Sequence, residues 1–389
     1  MDNISRNCCG CGVCAAVCPT SAISLFTDEY GFICPVTNKD KCISCGKCDK
    51  FCAAAEQSTN SAENKYPECY VALNVSDSEL MSSTSGAIFT ALSDYVIGER
   101  GVVWGAAYDD DMKVRHIRAV DTAGRNRMRG SKYVWSDISS VFASVGDDLK
   151  SGLKVLFTGT PCQVAALKKY LLAARCTGDL ITCDIACFGT PSPLVFKEHL
   201  SMIERKYHKK IADYQHRPSK YGFDFGVKND LVIFDDGTEV YDDPWIKAYR
   251  QLFYMGVTKR ECCYNCKYTS FNRVSDITIG DCRNAAALVP DWDIKNGVST
   301  VLVNTPAGAD MFNSVSDKIK VMIVQPESIT QPPFEHPSLP SKSRESFFAL
   351  FNSKGYKHAV KATLGKHFAL KHRLKKVLSC ISSGGEVKK

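Results

Sequence analysis

Several things that would decide the class of this 389-residue chain at once are missing from it. No window offers the roughly 18 or more unbroken apolar residues that a membrane span needs, so a spanning helix is not expected. Polar Met1 to Asn7 lead directly to Cys8, with no basic start, apolar run and cleavage site. A secretory leader is therefore not expected, and the chain reads as cytoplasmic. No histidine precedes His116, although eleven of the 20 cysteines fall within the first 69 residues. That absence argues against mixed Cys/His zinc fingers in the N-terminal region. Acidic residues are scarce at the other end. Lys342 to Lys389 hold 12 Lys/Arg against 2 Asp/Glu, a balance of +10 where the whole chain carries +7. The preceding 341 residues are left mildly acidic, at −3, and no nucleic-acid partner is expected.

Dense cysteine without a leader points to metal binding rather than to disulfides. Cys8, Cys11, Cys14 and Cys18 follow the spacing C-x2-C-x2-C-x3-C, with Pro19 next. Cys42, Cys45, Cys48 and Cys52 repeat it, each 34 residues after its counterpart. This internal duplication is the pattern of bacterial two-cluster ferredoxins. Three thiolates at intervals of three let a tight loop wrap a cuboidal cluster, and Gly10, Gly12 and Gly46 ease its bends. The fourth cysteine of each run ligates the other cluster. Cys8, Cys11, Cys14 and Cys52 are thus assigned to one 4Fe–4S cluster, and Cys42, Cys45, Cys48 and Cys18 to a second. Loop amides would hydrogen-bond the sulfurs and tune the potential. Ala53, not proline, follows Cys52, and Cys9 and Cys34 are left as spare buried thiols. Zinc, which C-x2-C pairs also bind, is the alternative occupant.

Beyond a polar linker the pattern changes. YVALNV (70–75), GVVWGAAY (101–108), KVLFTGT (154–160), LITCDIAC (180–187), STVLVN (299–304) and KVMIVQ (320–325) are strand-like runs. Helical stretches from near Gly86, Pro161, about Pro191 and Pro306 alternate with them. This order predicts an α/β body with a mixed, largely parallel sheet. FGVKNDLVIFDDGTEV (225–240) reads as a hairpin turned at Asp236-Gly237. From Gly355, the residues Tyr356, Val360, Leu364, Phe368, Leu374, Val377 and Ile381 fall at mostly helical spacings beside a row of lysines. They predict a C-terminal amphipathic helix that packs on its own body, meets a partner protein or rests on an anionic membrane surface. The fold expected is an α+β ferredoxin-like two-cluster module, an α/β body and that basic helix. Its segments are 1–55, a linker over 56–68, body segments over 69–150 and 151–340, and a tail over 341–389.

Inside the body, Cys162 lies in GTPCQVAALK at a strand-to-helix turn, and Cys187 lies in DIACFGTPSP at a strand end. Cys263 and Cys266 form a third C-x2-C within RECCYNCKY. Such strand ends can converge on the edge of an α/β sheet where ligands bind, and four thiolates there would hold a third 4Fe–4S cluster. The residue types alone leave other uses open. Cys162 suits a reactive thiol at a helix N-terminus, Cys263 and Cys266 a small zinc site with Cys262 or Cys282, and Ser82 to Ala87 a loop that caps a helix.

GTPCQVAALK, ACFGTPSP, and CCYNCKY followed by RVSDITIGD (273–281) resemble the beta-subunit family of coenzyme F420 hydrogenases and dehydrogenases. The resemblance spans about residues 1–335, with 69–150 and 151–340 as its N- and C-terminal beta-subunit domains. It implies a flavin, usually FAD, beside a cluster held by Cys162, Cys187, Cys263 and Cys266. The stretch Ser82 to Ala87 is similar to the family's Gly-rich segment, with Ala87 in place of one glycine. Ser83, Ser85 and Gly86 are its expected flavin contacts, where bare amides and hydroxyls suit a phosphate. Arg129, Ser131 and Lys132 belong to a second segment that the resemblance places near the flavin. After Asp281 the chain reads CRNA where many members have FWG.

The function expected is an iron–sulfur flavoprotein oxidoreductase that exchanges electrons with a redox partner, a ferredoxin or another electron-transfer subunit. A non-catalytic electron-transfer subunit without flavin, and a zinc-rich interaction protein, are the alternatives.

Overall fold

The computed structural model describes residues 7–55, 67–218 and 230–370. The rest of the expected linker, residues 225–229 of the expected hairpin, Cys380 and the tail positions Leu374, Val377 and Ile381 lie outside these.

The two cysteine triplets fold by one local device. Gly12 (φ 80°) and Gly46 (φ 68°) hold left-handed backbone, and each starts a single helical turn, Val13–Ala16 and Lys47–Lys50. Without a Cβ these glycines adopt that conformation at little cost. Between the turns, strands β1 (Ile23–Thr27) and β2 (Ile33–Thr37) pair antiparallel. One-turn helices are not stable alone. Here Val13, Cys9, Cys11 and Ala53 pack into one core with Trp104, Ile138, Phe142 and Leu167 of the body. Three side chains pin the joint. Trp135 Nε1 donates to Cys9 O at 3.2 Å, Tyr268 Oη to Ala53 O at 2.6 Å, and Arg260 Nε to Cys8 O at 2.6 Å.

The body is built on an eight-stranded sheet. Its members are β3 (Glu68–Asn74), β4 (Val102–Tyr108), β5 (Val114–Ala119), β6 (Val155–Gly159), β7 (Leu180–Ile185), β11 (Ile277–Asp281), β12 (Ser299–Val303) and β13 (Ile319–Val324). They lie in the order β13-β3-β12-β11-β7-β6-β4-β5. The four central strands β11, β7, β6 and β4 are mutually parallel, whereas β12 and β5 flank them antiparallel. Val155 and Phe157 face the layer of helices Phe142–Lys150 and Pro161–Ala173, and Leu156 between them faces the layer of Ile88–Gly98. The period-2 alternation of a strand buried on both faces explains the continuous apolar runs in the sequence. Helix Pro161–Ala173 starts where proline at its first position predicts, and Thr160 and Gln163 close a capping box over it. Strands β5 and β11 were not among the expected runs, since VRHIRA and ITIGD are short and partly polar.

A second sheet, β10 (Glu239–Tyr241), β9 (Asp230–Phe234) and β8 (Ile211–His216), is antiparallel throughout. Helices Pro193–Tyr207, Pro244–Tyr254, Arg344–Lys354 and Tyr356–Leu364 cover it. Phe347, Phe348, Phe351, Tyr356 and Val360 are buried there. Residue 341 is thus no boundary between body and free tail: residues 344–364 complete the core. Their packing follows the first of the three uses expected for that segment. No helix among the described residues is long and apolar enough to cross a membrane.

Candidate redox centre

The parallel strands β6, β7 and β11 deliver their C-terminal ends to one edge of the sheet. Cys162 stands in the first turn of the helix after β6, and Cys187 two residues beyond β7. Cys263 and Cys266 come from the short 3-10 turn Glu261–Asn265 and the residue after it. All four line one pocket of about 270 Å³. Cys9 and Cys262 line it too, which the sequence reading did not foresee. Each adjoins an expected ligand in the chain, and spacing alone cannot tell which of two adjacent thiols turns inward. Cys282, the alternative zinc partner, is buried with Cys69 and Val71 and does not line the pocket. Among the described residues, no three Cys, His, Asp or Glu side chains converge as one metal ion would require. These thiols surround a volume instead.

Their surroundings suit metal-bound sulfur. Gly189 N donates to Cys187 Sγ at 3.4 Å, and Thr160 Oγ1 lies 3.2 Å from Cys162 Sγ. Burial pushes Cys187 up to about 12 and Cys266 to about 11. Hydrogen bonds, first from Cys262 and then from Thr190, outweigh burial at Cys263 and bring it to about 6. Thiols raised by burial become thiolates only when a cation joins them, as iron would. The donor set therefore fits an iron–sulfur group.

In the N-terminal module the charge fields tie Cys14 to Cys8, Cys52 and Cys48, and Cys11 to Cys8. Gly10 N donates to Cys8 Sγ at 3.3 Å and Ala22 N to Cys18 Sγ at 3.2 Å. Cys48 neighbours Cys45, while Cys42 and Cys45 are exposed. Cys9 packs in one core with Cys11 and Cys162 and lines the thiol pocket, so the module and the pocket adjoin at it. Cys34 faces Asp28 and Arg260.

A second pocket, about 310 Å³, adjoins the first at the loop Cys187–Thr190, whose four residues line both. Ser83, Ser85, Arg129, Ser131 and Lys132 line it as expected from the resemblance. Tyr133, Phe188, Phe253 and Tyr254 add aromatic rings, and His116 adds an imidazole. His116 Nε2 donates to Thr158 O at 2.8 Å, and Nδ1 meets Ser136 Oγ at the same distance. Burial holds this histidine down at about 4, hence neutral.

Several expected contacts are otherwise engaged. Gly86 does not line the pocket, because its N–H is taken by Ser299 Oγ at 3.0 Å. A Cβ there would come within 2.4 Å of Ala72 O, so this glycine serves close packing rather than a phosphate. Ser85 Oγ donates to Val298 O, Arg129 pairs with Glu79, and Lys132 Nζ reaches Arg129 O at 2.7 Å and Arg127 O at 3.0 Å. Ala87 holds φ 56°, a conformation that costs a non-glycine residue roughly 1 kcal/mol. Asp281 lines the pocket and pairs with Arg217 at 2.6 Å, whereas Asp276 is buried under Thr182 and Thr305.

Residues 152–329 match the family described as the C terminus of the coenzyme F420 hydrogenase/dehydrogenase beta subunit. The match includes Cys162, Cys187, Cys263 and Cys266. Among curated proteins none matches the sequence. A chain of the F420-reducing NiFe hydrogenase complex from Methanosarcina barkeri is similar at 20% identity, covering 77% of this chain and 92% of that one, with a TM-score of 0.47.

Proposed function

We propose that the chain is an iron–sulfur flavoprotein oxidoreductase. Two 4Fe–4S clusters would occupy the N-terminal module, and a third would be held by Cys162, Cys187, Cys263 and Cys266. FAD would occupy the pocket lined by Ser83, Ser85, Arg129 and Tyr133. The observation that carries the reading is the shared wall: Cys187 to Thr190 line both pockets, so two cofactors there would meet the same four residues. The flavin supplies the exchange between one-electron carriers and a two-electron substrate. The chain's own part is to hold sulfur ligands under amides, to bury the relay and to present rings and hydroxyls to the flavin. A ferredoxin or a neighbouring electron-transfer subunit would exchange electrons at the module, and either direction of flow fits. The exposed lysines of the basic segment, Lys354, Lys357 and Lys366, are the proposed contact for such a partner or for an anionic membrane, while its aromatic residues stay in the core.

A second reading, an electron-transfer subunit without flavin, draws on Gly86, Arg129 and Lys132, whose polar groups are engaged inside the protein. Anaerobic purification with iron, sulfide and flavin analysis decides between them. About twelve irons and one flavin per chain are expected. Iron without flavin would move the assignment to the second reading, and zinc in place of iron would end both. Cys162→Ala and Cys266→Ala should each remove about four irons and leave about eight.

A further inference from the structure

The fold treats its buried cations in two ways. Arg125 and Arg250 are buried, and each has a carboxylate: Asp94 at 2.8 Å and Asp230 at 2.9 Å. Lys259 and Arg260 are buried as deeply, at 0% and 3% exposure. Among the described residues neither has an Asp or Glu within ion-pair distance. An uncompensated buried charge is strongly unfavourable, so a fold that keeps two in succession implies an anion yet to arrive.

Their position says which anion. Segment 258–260 runs as an extended strip along the loop after β7: Ser192 N donates to Thr258 O and Arg260 N to Thr190 O. It therefore backs the wall between the two pockets. Alternation along the strip sends the two cations to opposite sides. Lys259 reaches over the rings of Phe188 and Phe253, at 3.9 and 4.4 Å from their centres, and meets Ser338 Oγ. Phe188 and Phe253 line the second pocket. Arg260 lines the thiol pocket and crosses to the module, where it donates to Cys8 O and Ile33 O. Its Nη1 is buried without a hydrogen-bond partner.

We propose that Lys259 and Arg260 are the countercharges of the iron–sulfur relay, raising the reduction potential of the cluster in the thiol pocket, with Arg260 acting also on the module's nearest cluster. The inference rests on the iron–sulfur reading above. Reduction adds one electron, and so one unit of negative charge, to a cluster whose thiolates already make it anionic. A fixed cation beside it stabilises the reduced form more than the oxidised form, and net local charge is one of the levers on such potentials. With positive charge on both sides of the wall, the pocket becomes the favourable resting place for an electron between module and flavin.

The test is a potentiometric titration of the full chain against dithionite, followed by electron paramagnetic resonance. Lys259→Met and Arg260→Met are compared with the charge-keeping Lys259→Arg and Arg260→Lys. Each Met variant should shift the reduction equilibrium toward the oxidised cluster at least tenfold, which is 59 mV for one electron. The charge-keeping pair should stay close to the parent. A Met variant that loses about four irons while its charge-keeping partner keeps them would support the proposal equally. Equal potentials in the two classes, or equal loss of iron in both, would overturn the proposal and leave the iron–sulfur reading standing. A parent protein that binds no iron at the pocket would overturn that reading, and the proposal with it.

Discussion

Replacing Asp230 by alanine should destabilise the protein by about 3–5 kcal/mol, the range for stripping a buried cation of its partner. Asp230 is wholly buried. It lies 2.9 Å from Arg250 Nη1 and 3.4 Å from His216 Nδ1, and it accepts from Tyr214 Oη at 3.1 Å. Arg250, itself 2% exposed, would keep its charge and lose the carboxylate that pairs with it among the described residues. The lost tyrosine hydrogen bond, about 1 kcal/mol by itself, falls within that range. Urea denaturation should show a lower midpoint at an unchanged slope. Asp230→Leu combined with Arg250→Met should recover most of the loss, because the apolar replacement of a buried pair is often neutral. The pH dependence follows the same group. Burial opposes charge on Asp230, but His216 and Arg250 outweigh it and hold its pKa below the ordinary 3.8. Its contribution is therefore present above that value and is lost as pH falls through the lower folded-state pKa. His216 is held below 6.5 by burial, so under acid the unfolded chain takes up a proton that the folded chain refuses. Both effects make the fold acid-labile. A cost below about 1 kcal/mol for Asp230→Ala, or a double variant no better than the single one, would refute the reasoning.

Two further outcomes can be checked. Gly31 holds φ 83° where the β1–β2 hairpin meets helix Pro193–Tyr207, and a Cβ there would fall 2.2 Å from Leu194 Cβ and 2.9 Å from its backbone nitrogen. Gly31→Ala should cost about 2–4 kcal/mol, from overpacking plus left-handed strain. It should open the hairpin to proteolysis, and Leu194→Ala should not restore it because the backbone nitrogen remains in the way. Lys132 is half-buried among carbonyls, and desolvation lowers its pKa from 10.5 to about 7 against the weaker pull of Asp213. Between those values the unfolded chain holds a proton that the folded chain lacks, so stability should rise with pH across the window. Denaturation midpoints at several pH values should show that slope in the parent and a flatter one in Lys132→Met.

The sequence carried much of the body. Strands β3, β4, β6, β7 and β12 coincide with apolar runs, because strands buried on both faces need continuous apolar side chains, and the apolar run of β13 lies at the more exposed sheet edge. Proline marked the start of helix Pro161–Ala173. What it could not carry depends on long-range placement. β11 is half polar because Thr278 and Asp281 serve side-chain hydrogen bonds and the second pocket, so ITIGD reads as a loop. The boundary at residue 341 followed charge composition, and charge is blind to Phe347, Phe348 and Phe351, which bury themselves between lysines and serines. Gly86 was expected at a phosphate because glycine in a Ser-rich stretch suits both a ligand and close packing. Only the approach of Ala72 O distinguishes the two.

The thiol pocket shows the same limit from the other side. Cys162, Cys187 and the pair Cys263 and Cys266 lie far apart in the chain, and two strands and a 3-10 turn bring them to one sheet edge. Periodicity could suggest that convergence, since parallel strand ends share an edge. It could not suggest Cys9, which arrives from the module because Trp135 and Arg260 clamp the backbone on either side of it. Six thiols where a cluster takes four means that two are left over, and both leftover candidates sit next to Arg260 in the charge field. Surplus sulfur beside a buried guanidinium is what a junction between two cluster sites would need. Cys9 packs in one core with both Cys11 of the module and Cys162 of the body. The module is therefore joined to the body by the shared core and the three pinning side chains, which hold Cys9 at the wall of the thiol pocket.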